Sequence, residues 1–137
     1  MKAVICLAVI ALCVVPCSAK GNDTAMKIFA DGVKLPVQWE DNRSVDALRS
    51  LAPLTVKMSA YGGFEQVGRL GVRLPRDDVR ITTEPGDIVL YAGNQIVMFH
   101  GNNTWEYTKL GHVTGKTHAE LAEILGKPSV TLTISAD

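Results

Sequence analysis

The chain has 137 residues, 47% of them hydrophobic, with fourteen basic and fourteen acidic side chains. That length suits one ordinary domain. The neutral balance excludes the broad basic footprint of a nucleic-acid binder and of a protein held on an anionic membrane surface.

At the N-terminus, Lys2, an apolar run from Ala3 to Val15, and then Pro16, Cys17, Ser18 and Ala19 have the parts of a secretory signal peptide. The run is shorter than the roughly 20 residues that span a bilayer, so no stable membrane span is expected after cleavage behind Ala19. Lipidation at Cys17 is the alternative, but Pro16 stands where such sites carry Gly, Ala or Ser. All three cysteines, Cys6, Cys13 and Cys17, fall in this leader, residues 1–19. The exported chain therefore has no disulfide, thiolate metal site or cysteine nucleophile. The expectation is a secreted or periplasmic protein, with residues 20–25 a polar lead-in and residues 26–135 the folded domain.

From there the chain reads mostly as short strands. Met26 to Ala30 is apolar, and Asp31-Gly32 is a hairpin turn signal. Val33 to Trp39 alternates, with Val33, Leu35, Val37 and Trp39 on one face; Pro36 predicts a sheet edge there. Ser44 to Leu51 is predicted helical, capped by Ser44, with Val45, Leu48 and Leu51 or Ala52 on its apolar face and Pro53 as its stop. Leu54 to Met58 alternates again. Tyr61-Gly62-Gly63-Phe64 is a turn flanked by aromatics, and Gln66 to Leu74 holds a strand with bends at Gly68 and Gly71. Pro75 to Arg80 reads as a charged loop, with Asp77 and Asp78 a solvated cluster. Pro85-Gly86-Asp87 is a turn before the strand Ile88 to Ala92. Gly93-Asn94 predicts a two-residue hairpin into Gln95 to His100. Thr108 to Val113 is another strand. Thr117 to Leu125 is a helix with a Thr117/Glu120 capping box and Gly126 as its stop. Val130, Leu132 and Ile134 alternate in a last strand.

This order, mainly β with two short amphipathic helices, predicts a closed or nearly closed barrel with a helix over each open end. Pro85-Gly86-Asp87-Ile88, Leu90-Tyr91, Asn94, Ile96-Val97, Phe99 and Trp105-x-Tyr107-Thr108-x-Leu110-Gly111 resemble the prokaryotic cyclophilin-like family of small barrel proteins. Leu51-x-Pro53-Leu54-Thr55 and Met58 are similar to it too. The resemblance implies an eight-stranded cyclophilin-like barrel capped by two helices, and little about activity.

Three functions are expected from these residues. The first is a non-catalytic module that binds a small ligand or peptide through Tyr61, Phe64, Arg69, Trp105 and Tyr107. Aromatics with polar tips make ligand walls, although Trp105 also suits a core position over a barrel end. The second is a peptidyl-prolyl cis-trans isomerase. That chemistry needs a cation near the prolyl nitrogen and an apolar pocket for the ring, for which Arg69 or Arg73 and Phe64, Phe99 or Trp105 are the candidates. Cyclophilin enzymes carry an arginine after a Phe-His pair and a Gln-Gly-Gly-Asp stretch; Phe99-His100 lacks the arginine and Gly62-Gly63 lacks the flanking Gln and Asp. The third is a protein-interaction surface with no small ligand. No metal is expected, since His100, His112 and His118 form no HExxH or paired-histidine motif. No cofactor is expected, since no glycine-rich nucleotide loop is present. The sequence leaves the oligomeric state open.

Overall fold

The computed structural model describes residues 26–136. The leader, its cleavage point and the 20–25 lead-in lie outside the described residues. In chain order the elements are β1 (Lys27–Ala30), β2 (Val33–Leu35), β3 (Val37–Trp39), α1 (Arg43–Leu51), β4 (Leu54–Tyr61), β5 (Glu65–Arg69), β6 (Val79–Thr82), β7 (Asp87–Tyr91), β8 (Gln95–Phe99), β9 (Thr104–Val113), α2 (His118–Leu125) and β10 (Ser129–Ser135).

Hydrogen bonding runs β2-β1-β10-β4-β5-β8-β7-β9-β3, with β6 attached to β9. The pairs along this path are antiparallel. The two ends of the path, β2 and β3, are halves of one strand separated only by Pro36. One half pairs with β1 and the other with β9, so the chain itself joins the two edges. Counting β2 and β3 as one bent strand and setting β6 aside, the ten-stranded sheet becomes an eight-stranded, nearly closed barrel. Proline suits the junction because it has no N–H to leave unpaired; its carbonyl accepts from the Thr114 N–H. The alternation expected from Val33 to Trp39 continues through this bend, with Val37 and Trp39 packed against the core and Lys34, Pro36 and Gln38 exposed; only Val33 departs from it. Leu35 is buried, but Val33, beside the Asp31-Gly32 turn, is 44% exposed.

Inside the barrel, Ile28, Ala30, Val56, Met58, Ile88, Leu90, Ile96, Met98, Leu110, Val130, Leu132 and Ile134 form one core with Val45 and Leu48 of α1 and Leu121 and Leu125 of α2. The helices close opposite ends. Gln66 at the start of β5 donates from Nε2 to the Leu125 and Lys127 carbonyls, at 2.8 and 2.6 Å, and so satisfies acceptors that the end of α2 leaves open. The capping box of α2 forms as predicted, with Thr117 and Glu120 bonded reciprocally. At the other end α1 is capped by Asn42, not by Ser44. Asn42 Oδ1 accepts from the Val45 N–H while its amide donates to the Lys109 carbonyl. One side chain thus caps the helix and ties it to β9. Ser44 is buried two positions further in and donates to the Pro75 carbonyl.

Residues 70–78 are held from three sides. The Leu70 and Leu74 N–H groups donate to Asn94 and Gly93 carbonyls in the β7–β8 turn. Arg43 of α1 grips Asp77 through two contacts of 2.9 Å, and Thr108 Oγ1 donates to Asp78 at 2.7 Å. Asp77 and Asp78 are therefore anchors for this loop and not a merely solvated cluster. The β7–β8 connection is three residues, not two, since Tyr91 pairs with Gln95. Its left-handed positions fall on Ala92 (φ 54°) and Gly93 (φ 75°), one residue earlier than the sequence suggests.

Gly68 on β5 backs onto β4. A Cβ there would meet Val56 Cγ1 and lie 3.0 Å from Met58 Cγ, both belonging to buried residues. Gly68→Ala is expected to cost about 1–3 kcal/mol through overpacking, read as a lower urea midpoint with an unchanged slope.

Candidate functional site

Strands β7 and β8 are apolar on both faces, and this builds the site. Ile88, Leu90, Ile96 and Met98 point into the barrel. Their neighbours Val89, Val97 and Phe99 form a second, outer cluster with Tyr107, against which Phe64, Val67, Ile81 and Tyr91 pack. The cover comes from β9. From Thr108 onward β9 pairs with β7, but Thr104 to Tyr107 pairs with Thr82 to Val79 of β6. This β6–β9 ribbon brings Ile81 and Tyr107 over the outer face of β7 and β8. The sequence reads residues 79–80 as loop, and misses β6 because a four-residue strand, Val79-Arg80-Ile81-Thr82, carries little pattern of its own.

Between the ribbon and the outer face of β4, β5 and β8 lies a groove of about 430 Å³. Tyr61, Tyr91, Trp105 and Tyr107 contribute rings to it, and Glu65, Gln95 and Asn103 contribute polar groups. Tyr107 meets Tyr91 edge-on at 6.0 Å and Phe99 edge-on at 5.7 Å. Its hydroxyl accepts from Asn103 Nδ2 at 2.7 Å, and its pKa is raised, chiefly by burial. Tyr61 is 66% and Trp105 50% exposed, so Trp105 does not pack over a barrel end as core. Arg80 lies 5.8 Å from the Trp105 ring and pairs with Glu106 at 3.5 Å.

Of the five residues expected at a site, Tyr61, Trp105 and Tyr107 line this groove together. Phe64 stacks parallel on Phe99, 6.4 Å between ring centres, and supports the outer cluster without lining the groove. Arg69 is exposed further along β5 and borders two neighbouring depressions, one of which shares Tyr61, Val67 and Gln95 with the groove.

Glu65 is the residue that sequence reasoning missed. It is only 7% exposed, and its Oε1 has no hydrogen-bond partner. Burial pushes its pKa up to about 7. The only signal for it in the sequence is parity: Glu65, Val67 and Arg69 share the outward face of β5, while Gln66 and Gly68 face inward. Among the described residues, no three of His, Cys, Asp and Glu come together as a metal would require. His112 pairs instead with Asp87 at 2.7 Å, and His118 approaches the His100 carbonyl at 3.0 Å.

An antiparallel eight-stranded barrel, closed through one bent strand and carrying a helix at each end, defines the cyclophilin-like class of β-barrels. The family model described as the cyclophilin-like family matches residues 28–135. The chain belongs to that family. No curated protein matches it.

The environment of Glu65 sets a pH signature. An unfolded glutamate titrates near about 4.3, well below the folded value of about 7. Between those values the folded state holds the proton that the unfolded state has lost. Stability therefore falls as pH rises through this window and levels off above it, a loss of about 3–4 kcal/mol. Glu65→Gln is expected to remove this slope. The variant should be more stable than the parent at pH 8 and similar to it at pH 4, as measured by urea unfolding at both pH values.

Proposed function

We propose that this chain is an exported binding module that takes a small ligand or a peptide in the aromatic groove of its barrel wall. The observation that carries this reading is the groove itself. Four rings converge with a buried carboxyl and two amides in a volume of about 430 Å³, inside the usual range of small-molecule sites. A tryptophan left half exposed beside an exposed tyrosine is a costly use of apolar area unless a ligand covers it. Export is supported by the Lys2 start, the apolar run and the small residues before Ala19; it would place the binding site in a periplasm or outside the cell.

The test uses the chain from Lys20 onward, which keeps every described element. A fragment library is followed by ¹⁵N NMR, where the two indole N–H signals separate the site from the scaffold. Trp105 lines the groove, whereas Trp39 is engaged with the Met26 carbonyl at 3.0 Å. Binders are expected to shift the Trp105 signal and leave Trp39 still, and Trp105→Ala should weaken them about tenfold or more. A library that never moves Trp105 would remove the basis of this reading. In a companion measurement, cis–trans exchange of an Ala-Pro peptide is expected to stay at its uncatalysed rate. A rise in exchange that Arg69→Ala abolishes would make the chain an isomerase instead.

A further inference from the structure

We infer that the groove binds the primary ammonium group of a small molecule, carried on an apolar stem, with Glu65 as its counter-ion and the surrounding rings as its walls. This deepens the binding reading above and rests on it. Glu65 lacks a counter-ion among the described residues. It sits 7% exposed with Oε1 unpartnered, and its neighbours in register are Tyr61 on β4 and Phe99 on β8. The groove's other titratable groups are the phenols of Tyr61 on β4, Tyr91 on β7 and Tyr107 on β9. On the ribbon, Arg80 lies at Trp105 and is already paired with Glu106; on β5 itself, Arg69 is exposed and does not line the groove. Among the described residues no Lys, Arg or His forms an ion pair with Glu65.

A carboxyl placed this way accepts some ligands and rejects others. An anion would be repelled. A neutral apolar ligand would bury the carboxyl further and leave Oε1 unpaired, which is unfavourable. A cation is attracted both by the carboxylate and by the negative faces of the aromatic rings. A primary ammonium has N–H groups to donate to the Glu65 carboxylate, which lines the groove, and so forms a charge-assisted hydrogen bond; a quaternary ammonium has none. The apolar area of Val67, Val97 and the rings suits an alkyl or aryl stem.

The experiment compares n-hexylammonium with 1-hexanol, which has the same stem and no charge. Binding is followed by the Trp105 indole signal at pH 8 and pH 6. At pH 8 the amine is expected to bind about tenfold tighter than the alcohol or better. The amine stays protonated throughout, with a pKa near 10.4. Glu65, with its pKa of about 7, loses most of its charge between the two pH values, so amine affinity should fall about tenfold from pH 8 to pH 6. Glu65→Gln should bring the amine down to the level of the alcohol. By linkage, hexylammonium should also lower the Glu65 titration midpoint seen by ¹³C NMR; an unmoved midpoint overturns the inference. Equal binding of amine and alcohol overturns the ammonium assignment and leaves the groove as a binding site. If no probe or fragment moves Trp105, both readings fall. A capped Ala-Lys-Ala peptide that binds more tightly than hexylammonium would overturn the small-molecule part.

Discussion

The bend at Pro36 is the constraint on which the rest of the barrel depends. Two three-residue strands on either side of it hydrogen-bond to β1 and to β9, the two edges that an open sheet would leave bare. A bare edge is a template for aggregation, and closure through a single bent strand removes it at the cost of one missing ladder donor. Register matters throughout the closed sheet, because a strand slipped by one residue would turn its whole apolar set outward. Trp39 holds the far side of the joint through its indole N–H on the Met26 carbonyl.

Closure leaves two ends and one wall still to be satisfied. The ends are covered by helices whose terminal groups are satisfied by side chains that also tie them to the sheet. Gln66 serves the carbonyls at the end of α2, and Asn42 caps α1 while reaching β9. The wall is β7–β8, whose outward residues Val89, Val97 and Phe99 are as apolar as the inward ones. The first half of β9 leaves the barrel to pair with β6 and covers them. The ribbon does not cover the wall completely. The uncovered remainder, bounded by Tyr61 and Glu65, is the groove.

Glu65 is the buried acid that the packing of the outer wall leaves without a counter-ion among the described residues. Its burial raises its pKa to about 7, and ionising it near neutral pH works against folding. Proteins commonly hold such unfavourable groups at their working sites. Replacing the carboxyl removes its charge and leaves the rings of the groove in place.

The sequence by itself determined the fold class, the turns at Asp31-Gly32 and Pro85-Gly86-Asp87, the capping box at Thr117 and the alternation of β4 and β10. Each of these rests on local dihedral preference or on a two- or 3.6-residue period. It also marked Tyr61, Trp105 and Tyr107, because large aromatics next to turn signals stand out without any contact information. Only the tertiary structure decided the rest. The choice of Asn42 over Ser44 as the cap depended on the Lys109 carbonyl 67 residues away. The strand β6 exists because β9 is there to pair with it. The gathering of Tyr91, Glu65 and Asn103 around three expected aromatics came from four strands and one loop meeting at the outer wall. Periodicity reports which face a side chain occupies; which faces meet is set by barrel closure and strand register, and those are properties of the whole chain.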